Sequence, residues 1–104
     1  MIGFFKKLFA PSVDYLQLVV ERGAIIIDVR TTAEFKSGHI PTSKNYPLDS
    51  LSSRIKDIKA QQKPVITVCQ SGMRSANAKG KLKQAGIEAY NGGPWSSLLR
   101  KLDK

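Results

Sequence analysis

The sequence predicts an α/β fold: an open, mostly parallel sheet of approximately five strands flanked by helices. Three observations lead there. Two short apolar runs, "AIIIDV" and "PVITVC", read as strands buried on both faces, as in a parallel sheet covered by helices on each side. Segments with apolar residues at helical spacing lie around them. The two kinds of segment alternate along the chain, which is the order of βαβ units.

The elements follow in order. "MIGFFKKLFAP" has Ile2, Phe4, Phe5, Leu8 and Phe9 interrupted by Lys6 and Lys7. This run is too short to span a bilayer, and it lacks the apolar stretch and cleavage site of a secretory signal. Residues 1–11 are expected to form a short amphipathic or frayed terminal segment, or the stub of a removed targeting segment. Ser12 is the expected N-cap of a first helix, with Asp14 in its first turn, Val13, Leu16, Val19 and Val20 at helical spacing, and Gly23 as its stop. "AIIIDV" is the first strand. "TTAEFKSG" is a short helix capped by Thr31 or Thr32, with Glu34 in the first turn and Gly38 at the end.

A loop with a short strand near Lys44–Tyr46 leads to "LDSLSSRIKDIKAQQK", read as one amphipathic helix with Leu51, Ile55 and Ile58 inward. "PVITVC" is the next strand. "MRSANAKGKLKQAG" is a helix with Ala78, Leu82 and Ala85 inward, weakened by Gly80 and broken by Gly86. "IEAY" is a strand, "NGGP" a turn and "WSSLLRKLDK" a final helix. The 104 residues are of common size for one domain, expected over 1–104. No repeat or linker is evident.

Formal net charge is +9, from 17 Lys and Arg against 8 Asp and Glu. The cations are spread along the chain, and no nucleic-acid motif or aromatic-rich sheet face accompanies them, so nucleic acid is not expected as a partner. The charge reads as solvated helix faces, or as a field that draws small anions. A single cysteine forms no internal disulfide and fits a reducing compartment, so the expectation is cytoplasmic, or periplasmic if a targeting segment was removed. No transmembrane segment is expected. Oligomeric state is not legible.

The chemistry gathers in "VITVCQSGMRSANA". In open parallel sheets, ligands bind beyond the carboxyl ends of the strands, where Cys69 lies. The loop that follows enters a helix whose first N–H groups lack intrahelical partners, so they and the helix dipole favour an anion. Gly72 lets the backbone curl, and Arg74 adds charge. Such surroundings lower a thiol pKa from about 8.5 to roughly 3.5–7.5, which makes Cys69 a candidate nucleophile. A small buried hydrophobe is the alternative role for a lone cysteine.

Four ordered segments between about Ala24 and Trp95 resemble the single-domain rhodanese family of sulfurtransferases. They are "IIIDVRTTAEFKSGHIP", "KNYPLDSL", "CQSGMRSANAKGKLKQAGI" and "YNGGPW". The resemblance implies a rhodanese-like fold and two displacements. Cys69 takes sulfane sulfur from a small anionic donor such as thiosulfate and becomes a persulfide. A thiophilic acceptor (cyanide, a thiol or a protein cysteine) then removes it. The backbone of Gln70, Ser71, Gly72, Met73, Arg74 and Ser75 would cradle the sulfur, and Arg74 would steer the donor. No cofactor is implied.

Two alternatives stand beside this reading. One is a sulfur-carrier or docking module with little turnover of small molecules. The other is a cysteine-dependent phosphatase or arsenate reductase, disfavoured because only Gln70, Ser71, Gly72 and Met73 separate Cys69 from Arg74, one residue fewer than those enzymes use for a tetrahedral oxyanion. Asp28, Arg30, Glu34 and His39 are expected to give structural support. Asp28 would bind backbone or arginine groups, and Glu34 a basic neighbour. A thiolate stabilised by its loop needs no general base, so His39 is read as a loop residue. One histidine and one cysteine offer no metal site. Trp95 reads as the anchor of the last helix.

Overall fold

The computed structural model describes residues 13–103, which form four strands, five α-helices and one 3-10 helix. The expectations for residues 1–11 and for Ser12 as a cap therefore lie outside the described residues. Helix α1 spans Tyr15–Arg22, and Asp14 is its cap rather than a first-turn residue, accepting from the Gln17 N–H at 3.0 Å. An aspartate carboxylate satisfies an orphan helix donor as well as a serine does.

Strand β1 (Ile25–Asp28) leads to α2 (Thr32–Ser37). Thr31 caps α2, and Glu34 reaches back to the Thr31 N–H to complete a capping box. Strand β2 is only Lys44–Asn45.

The single helix expected over 48–63 is instead a 3-10 helix, Leu48–Arg54, joined to α3 (Ile55–Ala60). Serine explains the tighter winding. Ser50 Oγ donates to the Pro47 carbonyl and Ser53 Oγ to the Ser50 carbonyl, three residues back in each case. Leu51 and Ile58 are still fully buried, as the apolar spacing requires.

Strand β3 (Val65–Cys69), α4 (Met73–Gln84), β4 (Ala89–Pro94) and α5 (Trp95–Leu102) complete the order. The "NGGP" segment is not a turn. It is the second half of β4, and its glycines serve a bulge: pairing passes from Thr67–Asn91 to Val68–Gly93 and skips Gly92. A Cβ on Gly92 would lie 2.8 Å from Ile66 Cγ2 and 3.0 Å from the Thr67 carbonyl oxygen. Only glycine fits so close an approach.

The sheet order is β2-β1-β3-β4, and every pair is parallel. Approximately five strands were expected, and the described residues hold four. One face packs Ile27, Val65 and Ala89 against Leu51, Ile58, Ala78 and Leu82 of the 3-10 helix, α3 and α4. The other packs Ile26, Ile66 and Val68 against Leu18 of α1 and Leu98 of α5. Such double coverage is why the strand runs are apolar throughout. The order places a topological switch between β1 and β3, whose carboxyl ends carry Asp28 and Cys69.

Candidate active site

Cys69 ends β3 and is fully buried. Gly72, at the cap of α4 with φ of +100°, turns the loop back, a conformation open to glycine at low cost. That turn aims two backbone donors at the sulfur: the Gly72 N–H at 2.9 Å and the Ser75 N–H at 3.3 Å. The Ser75 hydroxyl also lies 3.3 Å from Sγ.

Burial opposes ionisation of the thiol. The Ser75 side chain and the N–H groups of Ser75, Gly72 and Ser71 outweigh it, leaving the Cys69 pKa below its ordinary value. Gln70, Ser71 and Met73 are exposed on the outside of the loop, Met73 at 79%.

Arg74 points elsewhere. Its guanidinium forks onto Glu34, with Nη1–Oε1 at 2.8 Å and Nη2–Oε2 at 2.9 Å. The Thr31 N–H and hydroxyl hold the same carboxylate at 3.0 Å each. Pairing with Arg74, aided by the Thr31 N–H, lowers the Glu34 pKa to about 2 and raises that of Arg74. The capping box of α2 thus pre-positions the partner of the loop arginine.

Asp28 and Arg30 form a buried knot. Arg30 donates through Nε and Nη2 to both Asp28 oxygens at 2.7 to 3.1 Å, and also reaches the Glu34 and Gly38 carbonyls. Its guanidinium lies 4.9 Å from the Trp95 ring centroid. These bonds commit most of the fork to fixing the loop beyond β1. His39 stacks on Phe35 with ring centroids 3.7 Å apart, and its Nδ1 donates to the Phe35 carbonyl at 2.7 Å. Trp95 opens α5 and packs against the core beside Gly38. Among the described residues no cluster of His, Cys, Asp and Glu is placed to hold a metal ion, and no helix is long and apolar enough to cross a membrane.

Sequence reasoning missed Asn91. Its Oδ1 accepts from the Ser75 hydroxyl at 2.6 Å and the Gly93 N–H at 2.9 Å, and its Nδ2 donates to the Gly72 carbonyl at 3.2 Å. Reading "NGG" as a turn hid this residue, although an Asn beside paired glycines also suits a bulge. A cavity of about 410 Å³ opens near the loop, lined by Val29, Thr31, Leu48, Arg74 and Lys81 among others.

A family model described as a rhodanese-like domain matches residues 12–94. Uncharacterized protein YqhL of Bacillus subtilis is 42% identical over 71 residues, covering 67% of this chain and 56% of that protein. Thiosulfate sulfurtransferase GlpE of Pseudomonas syringae is 34% identical over 71 residues, covering 68% of this chain and 66% of GlpE. The matched region thus spans less than two thirds of these relatives' own length. Among solved structures, reduced Bacillus anthracis CoADR-RHD superposes with a TM-score of 0.71 at 30% identity, over 96% of this chain and 18% of that one.

Proposed function

The chain belongs to the rhodanese-like domain family, and from that premise we propose that it is a sulfurtransferase working through a Cys69 persulfide. One observation carries the reading: Sγ sits at the carboxyl end of a central strand with the Gly72 and Ser75 N–H groups aimed at it. The likeness to thiosulfate sulfurtransferase GlpE supports a donor of thiosulfate type.

In the first step the Cys69 thiolate attacks the sulfane sulfur. A new S–S bond forms, the donor's S–S bond breaks, and sulfite leaves with the electron pair. In the second step an acceptor thiolate or cyanide attacks the terminal sulfur and releases the Cys69 thiolate. The loop donors stabilise the anion in both resting forms. Because Sγ is fully buried, the loop must open to admit a donor. Arg74 and Lys81, with Asp49, line the cavity beside the loop.

A second reading, a module that passes sulfur between proteins, is favoured by the same burial and by the engagement of Arg74 with Glu34. Neither group then faces a small anion until a partner opens the loop. Intact mass after incubation with thiosulfate tests the first reading. A gain of one sulfur atom, absent in Cys69→Ser, is expected, with thiocyanate formed on adding cyanide. No adduct and no thiocyanate would sink the small-molecule activity; an adduct formed only from a protein persulfide would establish the carrier.

A further inference from the structure

The hydrogen bonds around Ser75 fix where its proton points. Asn91 Oδ1 carries no proton, so at 2.6 Å the Ser75 hydroxyl must be the donor. The orientation of the Asn91 amide is itself fixed, because the Gly93 N–H can only donate to it and the Gly72 carbonyl can only accept from it. Ser75 Oγ therefore turns a lone pair toward Sγ, and at 3.3 Å the thiol donates to it. This rotamer suits S–H, and the Ser75 side chain favours S⁻ only once its O–H turns toward the sulfur. A thiolate has no proton to give, and it would face an oxygen lone pair.

We infer that Asn91 is a positioning residue for Cys69: it holds the Ser75 proton away from the sulfur, so that ionisation requires the hydroxyl to turn. The thiol proton leaves to solvent. Ser75 O–H then rotates from Asn91 Oδ1 to Sγ, while Oδ1 keeps the Gly93 N–H. The thiolate then gains the hydroxyl as a donor in addition to the backbone N–H groups.

Tyr15, whose hydroxyl donates to the Asn91 carbonyl at 2.7 Å, ties the same residue to α1. Arg74 is paired with Glu34 and Arg30 with Asp28, and burial raises the Tyr15 pKa, so its hydroxyl stays protonated. The hydroxyl is thus the element free to switch.

The proposal rests on Cys69 as the reactive group, yet its test needs no sulfur transfer. The thiol pKa is read from thiolate ultraviolet absorbance and from alkylation rate against pH. Asn91→Ala frees the hydroxyl, and the pKa is expected to fall by about one unit, the worth of one hydrogen bond to an ion. In a Ser75→Ala background the same substitution should leave the pKa unchanged, because Asn91 acts through Ser75. If Asn91→Ala fails to fold, Asn91→Asp keeps both acceptor bonds and grips the hydroxyl harder. It should then raise the pKa more in the wild-type background than in Ser75→Ala. No shift, or equal shifts in the two backgrounds, overturns the inference. Failure to form a persulfide would leave this result intact and count only against the sulfur-transfer reading.

Discussion

At the scale of single residues, the pairing of Arg74 with Glu34 sets the first predictions. If Arg74 receives the donor, it must leave Glu34 to do so. Arg74→Ala should raise KM for thiosulfate with a smaller loss in kcat. Glu34→Gln should lower KM by about twofold to fivefold, the worth of one partly exposed ion pair. A KM unchanged in both variants would remove Arg74 from donor binding. The pH dependence has a definite sign. Folding lowers the Glu34 pKa from 4.5 to about 2, so the pair's stabilisation is complete above the unfolded value and fades as pH falls toward 2. The difference in melting temperature between wild type and Glu34→Gln should stay constant above pH ~5 and shrink below it. A difference that persisted at pH ~2 would place the stabilisation elsewhere. Cys69, Gly72 and Ser75 were legible in the sequence because one local run supplies strand end, turn and helix start. Asn91 was not, because it reaches Ser75 across 16 positions of chain.

Elements were legible where period and punctuation agree, and misread where a side chain rewrites the backbone. The serines that wind 48–54 into a 3-10 helix leave the apolar face intact, so the pattern gave the packing and not the helix type. In β4 the glycines looked like a turn, because a bulge and a turn both call for residues without a Cβ. Gly92→Ala separates the two. A turn would accept alanine easily, whereas here the methyl meets Ile66 Cγ2 at 2.8 Å. The variant should lose about 1–3 kcal/mol in urea unfolding. Persulfide formation should also slow, since Asn91 lies on the displaced strand. Stability equal to wild type would refute the close packing of the bulge.

For the whole molecule, the question is what the net charge of +9 does. Steering of an anionic donor should weaken as salt shortens the Debye length from ~10 Å at 0.1 M. kcat/KM for thiosulfate should therefore fall with ionic strength while kcat holds; a flat profile would leave the lysines as solvated surface alone. The sequence by itself determined the α/β class, the two buried strands and the placing of the single cysteine at a strand end. Hydrophobic period, turn residues and a contiguous loop are local properties. Tertiary structure alone decided that Glu34 holds Arg74 and that Asn91 directs the Ser75 proton. Those contacts join residues 16 to 40 positions apart, brought together by strand order and register. A linear pattern carries neither, because both follow from how the two faces of one sheet close over its apolar strands.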